Sequence, residues 1–146
     1  MSTLMVASSS FYGAALLLVL FVGVVYCTRK QFMSYHSVAL SRSWRDLDDA
    51  QRLLLLALIH LVGWGWMVIA FAGFALLLGA WYYQPAQPGL LMALQALITL
   101  GTAPVIRVSS GVRQRTGAAP PIYIGWIILC LSLAGFLLAW PLWSQS

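Results

Sequence analysis

The sequence predicts an all-α membrane protein: four transmembrane helices in an antiparallel bundle, with an interfacial amphipathic helix between the first and the second. Three observations predict it. Of 146 residues, 62% are hydrophobic and 8% charged, against about 25% charged in a soluble domain, so the apolar surface needs a bilayer as its solvent. Four apolar segments, 11–27, 53–81, 90–108 and 122–140, approach or exceed the roughly 20 residues that cross a hydrocarbon core. All eight basic residues lie in or beside two loops that four crossings put on the same side. One membrane domain accounts for the whole of 1–146.

The first span follows "MSTLMVASSS", which has no Lys or Arg. A cleaved secretory signal needs positive charge before its apolar run. Here Arg29 and Lys30 come after it, which predicts a retained span. The remaining basic residues are Arg42, Arg45 and Arg52 in the first loop and Arg107, Arg113 and Arg115 around the second. The turn between the second and third spans, "YYQPAQPG", and both termini carry no charged side chain. The positive-inside rule then puts both charged loops in the cytoplasm and both termini outside. The net charge of +5 is a topology signal and an attraction to anionic lipid. With no basic domain clear of the membrane, nucleic acid is not an expected partner.

Aromatic residues are expected in two belts at headgroup level. Tyr12, Trp81, Tyr82, Tyr83, Trp140 and Trp143 would mark the outer boundary, and Tyr26, Tyr35, Trp44, Tyr123 and Trp126 the inner one. Trp64 and Trp66 lie deeper in the second span. In the first loop, Met33, His36, Leu40, Trp44 and Leu47 recur at steps of three and four. This spacing predicts one face of a helix lying along the inner leaflet. Asp48 and Gln51 are spaced as a capping box that starts the second span before the hydrocarbon. The second loop, with Gly111, Gly117 and Pro120–Pro121, reads as a basic flexible turn with Pro at a helix start.

His60 is the ionisable residue inside the second span. Seven residues from Leu53, it is placed about 10 Å below the cytoplasmic boundary. Gln95, Thr99 and Thr102 share one face of the third span, and Thr102 lies at a matching depth. The expected arrangement is a structural hydrogen bond from His60 to Thr102 or Thr99. The functional alternative is a ligand pocket of His60, Trp64, Trp66, Gln95, Thr99 and Thr102 for a quinone, a lipid or haem. Membrane haem usually needs two facing histidines, which a homodimer would have to supply. No cofactor or metal is expected otherwise. No membrane Asp, Glu, Lys or Arg marks a transport path.

Hydrolase and metalloprotease motifs are absent, and Ser8, Ser9, Ser10 and Ser132 have no base beside them in sequence. Cys27 and Cys130 sit at different depths, which disfavours a disulfide. Small residues at Ala75-x-x-x-Gly79 and Gly135-x-x-x-Ala139 are candidates for close helix approach or an oligomer contact.

The stretch "FMSYHSVALSRSWRDLDDAQRLLLLALIHLVGWGW", with "RQRTGAAPP" later, resembles a group of short four-helix bacterial inner-membrane proteins. In that group a Tyr-His segment leads through Trp and Gln into a Gly-x-Gly helix. The resemblance covers most of the chain and implies a fold and a bacterial inner membrane, with no activity and no catalytic residue. Where the group often carries a basic residue, this chain has His60. Two function classes follow: a non-enzymatic accessory, assembly or interaction subunit that works with other membrane subunits or a second copy, or a binder of an apolar or redox ligand around His60.

Overall fold

In the computed structural model, which describes residues 3–83 and 88–143, with the side chains of 142 and 143 left undescribed, the protein is helical. The elements are α1 (Thr3–Cys27), α2 (Ser34–Leu40), a 3₁₀ turn (Trp44–Asp46), α3 (Asp49–Tyr82), α4 (Pro88–Thr116) and α5 (Ile122–Trp143). Among the described residues there is no strand. Four helices, α1, α3, α4 and α5, are long and apolar enough to cross a membrane. The middle of the YYQPAQPG turn, the Trp143 side chain and Ser146 lie outside what is described.

The long helices form a ring in which α1 packs on α3 and α5, and α4 packs on the same two. Each buries a single stripe. On α3 the buried positions are Ile59, Gly63, Trp66, Ala70, Gly73, Leu77 and Ala80, at alternating steps of four and three. This is the spacing that keeps one face toward a neighbouring helix. On α4 they are Leu91, Leu94, Ile98, Thr102 and Ile106. The rest of each helix presents apolar side chains outward, such as Phe21, Leu61, Val68, Leu100 and Leu137, as a lipid-facing surface must.

Glycines set the closest approaches. A Cβ on Gly63 would lie 2.7 Å from Cys27 Sγ and 2.8 Å from the Cys27 backbone nitrogen. A Cβ on Gly23 would lie 3.1 Å from the Met67 nitrogen. These two glycines let α1 and α3 touch backbone to backbone. Gly135 performs the same service between α5 and α1, where an added Cβ would meet the Ser8 carbonyl oxygen at 3.0 Å, and Ala139, one turn further along α5, is buried as well. The expected pair on the second span fares differently. Ala75 is exposed, because α3 turns the Gly63–Gly73 stripe inward instead.

Several helix limits differ from the sequence expectation. α1 begins at Thr3, and α4 continues to Thr116. The segment read as a flexible turn, 107–116, is therefore helical. Polar residues on a helix that outruns the hydrocarbon look like loop residues in sequence. α4 ends at Gly117, which takes a left-handed φ of 70° and donates its N–H to the Arg113 carbonyl, the usual glycine stop. The start of α3 is as expected: Asp48 Oδ1 accepts from the Gln51 N–H at 2.7 Å, and the Asp48 N–H donates to Gln51 Oε1 at 3.4 Å.

The first loop is not one amphipathic helix. α2 has seven residues and stops at Ser41, whose φ of 52° is left-handed. The chain restarts at Ser43, whose N–H donates to Asp46 Oδ2. The stripe of Met33, His36, Leu40, Trp44 and Leu47 is thereby split. Leu47 is buried with Phe32 and Ile59, and Trp44 packs against this cluster, while Leu40 stays 44% exposed. Arg52 holds the turn down, donating to the carbonyls of Trp44 and Arg45. Its ion pair with Asp49, at 3.3 Å, is exposed and adds little.

Candidate functional site

His60 does not meet Thr102. Its Nε2 lies 2.9 Å from the carbonyl oxygen of Arg29, which accepts from the Nε2–H tautomer. The cause is the Gly23–Gly63 contact. It holds the end of α1 against α3, so the backbone just past Cys27, which has left the helix and lacks an intrahelical donor, sits beside His60. His60 therefore lies at the level of a charged loop, and α3, at about 50 Å for its 34 residues, is longer than the roughly 30 Å that a hydrocarbon core requires. The residues named as one pocket separate accordingly. Trp64 is 62% exposed and Trp66 is 6% exposed, because positions two apart point to nearly opposite sides of a helix.

Gln95 and Thr99, both half-buried, belong to a polar cluster inside the ring. Gln95 Nε2 donates to Thr99 Oγ1 at 3.1 Å and to Ser132 Oγ at 3.3 Å. Gln95 Oε1 accepts from the Tyr12 hydroxyl at 3.2 Å. Ser132 also donates to the Leu129 carbonyl at 3.0 Å, and Ser8 donates to the Gly135 carbonyl at 2.7 Å. Tyr12 is wholly buried and so is not a belt residue. The cluster ties α1, α4 and α5 together, and all its members are neutral. It is structural cement, with Tyr12 and Ser132 as the members that sequence reasoning missed.

Thr102 stands apart from that cluster. It is wholly buried, and its Oγ1 has no hydrogen-bond partner. A buried hydroxyl without a partner is costly in a bilayer. Thr102 lies in the wall of a cavity of about 280 Å³, near the lower limit for ligand pockets. Trp66 and Ile128 line the depth with it, and the mouth carries Tyr26, Arg29, Met33, Tyr35 and Ser109, with Pro120 and Pro121 beside them. Ser109 is seven residues from Thr102 on α4, a depth of about 10 Å. Phe21 and Tyr123 also belong to the wall and are 62% and 65% exposed, so the cavity opens sideways past α1 and α5 as well as toward the loops. Of the residues named together in sequence, Trp66 and Thr102 meet here, and His60, Trp64, Gln95 and Thr99 do not.

The mouth is rich in donors. Tyr26 and Tyr35 share a hydroxyl–hydroxyl bond of 2.7 Å. Burial, and then the bond to Tyr26, push the Tyr35 hydroxyl above its ordinary pKa, so it remains a proton donor. No acidic residue lines the cavity. Arg29 Nε and Nη make no ion pair among the described residues, where the one such pair is Arg52–Asp49. Beside the mouth, His36 Nδ1 accepts the Met33 N–H at 3.1 Å, and its ring packs against Phe32 and Tyr35.

Burial lowers the His36 pKa, which favours the neutral ring that this bond requires. A depressed histidine stabilises the fold fully above the ordinary value of about 6.5. That contribution is lost as pH falls from there through the lower folded value. Hydrogen exchange across 33–41, corrected for intrinsic rate, is thus expected to accelerate as pH drops below the ordinary histidine value of about 6.5. In His36→Gln the exchange should be pH-independent. Equal pH dependence in both would remove His36 as the cause.

Cys27 and Cys130 are free thiols, and no group of three His, Cys, Asp or Glu side chains among the described residues is placed to hold a metal. Comparison with family models, with curated proteins and with solved structures gives no match.

Proposed function

We propose that the protein is a non-enzymatic, multi-pass protein of a bacterial inner membrane that holds one membrane amphiphile in the cavity around Thr102. In this reading the helices run antiparallel, the charged loops face the cytoplasm, and both termini face the periplasm. Contacts in reversed order support the antiparallel arrangement: Trp81 donates to Ser9, while Gly63 meets Cys27. One observation carries the ligand reading. Thr102, whose buried hydroxyl has no partner, is one of the residues that line a cavity with Arg29, Met33 and Tyr35 of the first charged loop at its mouth. Rotation of the Thr102 side chain, exchanging its methyl and hydroxyl, would turn the hydroxyl to the cavity, where a ligand oxygen such as an ester or ring carbonyl would accept its proton. The ligand site thus moves from His60 to Thr102, where no His or Cys lines the cavity to ligate haem.

Ser109→Phe narrows the mouth, whereas Val108→Phe places the same ring on a neighbouring residue that is 67% exposed and outside the cavity wall. Native mass spectrometry from mild detergent should find one retained amphiphile in wild type and Val108→Phe, and none in Ser109→Phe. Retention that survives Ser109→Phe would overturn the cavity as the site.

The accessory-subunit reading is compatible with this one and has its own support. Leu53 and Leu54, at the start of α3 near the charged loop, are 72% and 62% exposed. A contiguous apolar surface at that level suits contact with another membrane subunit. Recovery of a stoichiometric partner that is lost on Leu53→Ser and Leu54→Ser is its test.

A further inference from the structure

We infer that the amphiphile is an anionic phospholipid of the inner leaflet, recognised by its phosphate at the cavity mouth; this rests on the reading that the cavity holds a membrane amphiphile. The mouth presents Arg29, a free donor from the Tyr26–Tyr35 pair, and the Ser109 hydroxyl. It presents no carboxylate. Guanidinium and hydroxyl donors together suit a phosphate, and Arg presents a planar fork to its oxygens. Without an acid, the site has no counter-charge for the ammonium of a zwitterionic lipid. The lining therefore selects for net negative charge as well as for phosphate.

The depth of the cavity agrees with this class. At about 280 Å³ it is too small for two acyl chains, so the chains stay in the leaflet, leaving past Phe21 and Tyr123. The glycerol and the first methylenes fill the apolar part beside Trp66 and Ile128. With the Thr102 side chain rotated toward the cavity, an ester carbonyl supplies the acceptor that its hydroxyl lacks. His60 has a supporting part: it holds the Arg29 backbone at 2.9 Å, which fixes the position of the mouth without touching the Arg29 side chain.

The test uses the full chain in detergent, with native mass spectrometry reading the retention of phosphatidylglycerol against phosphatidylethanolamine of the same chains. Wild type should prefer phosphatidylglycerol by about tenfold, the size of one charge-assisted hydrogen bond. Arg29→Gln should abolish the preference while leaving retention of either lipid. Arg115→Gln, on α4 but outside the cavity wall, should keep the preference. Equal loss in both variants would show diffuse surface attraction and overturn the site. Retention without preference in wild type would overturn the anionic head and leave the amphiphile reading standing. No retention of either lipid would overturn both. Inorganic phosphate at millimolar concentration should not displace the lipid; displacement would assign the mouth to free phosphate instead.

Discussion

Gly63→Ala is expected to destabilise the protein by about 1–3 kcal/mol, the usual cost of forcing atoms into a packed contact, while Gly65→Ala, two residues along the same helix, is expected to be neutral or stabilising. The added methyl group is the same. At Gly63 it would meet Cys27 Sγ and the Cys27 backbone nitrogen at 2.7 and 2.8 Å. A backbone atom cannot swing aside, so α1 and α3 must separate. At Gly65 nothing lies within 4 Å, and Ala is better than Gly in a helix by up to about 1 kcal/mol. Separation at Gly63 also pulls the Arg29 carbonyl from His60. Unfolding in mixed micelles measures both variants. Similar stabilities would mean that the backbone contact does not set the α1–α3 distance.

Gln95→Leu should cost about 1–3 kcal/mol, because it leaves the wholly buried Tyr12 hydroxyl without an acceptor. Ser132 suffers less, since it also donates to the Leu129 carbonyl. Tyr12→Phe in the Gln95→Leu background should recover most of the loss, because it removes the orphan hydroxyl and keeps the ring. Tyr12→Phe alone should be mild, since Gln95 Oε1 loses one bond and Gln95 Nε2 keeps two. In the membrane such pairs average about 0.6 kcal/mol, so the rescue separates a lost bond from a stranded polar group. A double variant no more stable than Gln95→Leu would refute this account of the cluster.

The spans were legible because their apolar length leaves little choice, and the start of α3 was legible because Asp48 and Gln51 pair within one turn. Contacts between helices were not. An aromatic residue in the first span has the same sequence signature whether it faces headgroups or, as Tyr12 does, Gln95 on another helix. Depth counted from Leu53 put His60 level with Thr102, but a helix that extends past the hydrocarbon carries no sequence mark of where the hydrocarbon begins. His60 was thereby paired with Thr102, whereas its ring meets the Arg29 carbonyl in the loop. The break at Ser41 depends on a left-handed residue that is not glycine, so periodicity ran straight through it. The cavity itself was invisible. It is built by residues of α1, α3, α4, α5 and both loops, none of which is unusual alone. The available signal was the polar stripe on α4: three polar residues on one face, two of them satisfied by Gln95 and its neighbours, and a third, Thr102, left over.

Thr102→Val tests the central claim most directly, through thermal stability measured with and without added phospholipid. The substitution keeps the side-chain shape and removes the hydroxyl that has no partner. In delipidated detergent the variant should be more stable than wild type by about 1–3 kcal/mol, the cost of a stranded buried polar group. On adding lipid, wild type should gain more than the variant, because only wild type gains a hydrogen bond. A variant that is no more stable than wild type without lipid, and gains as much from lipid, would contradict the account.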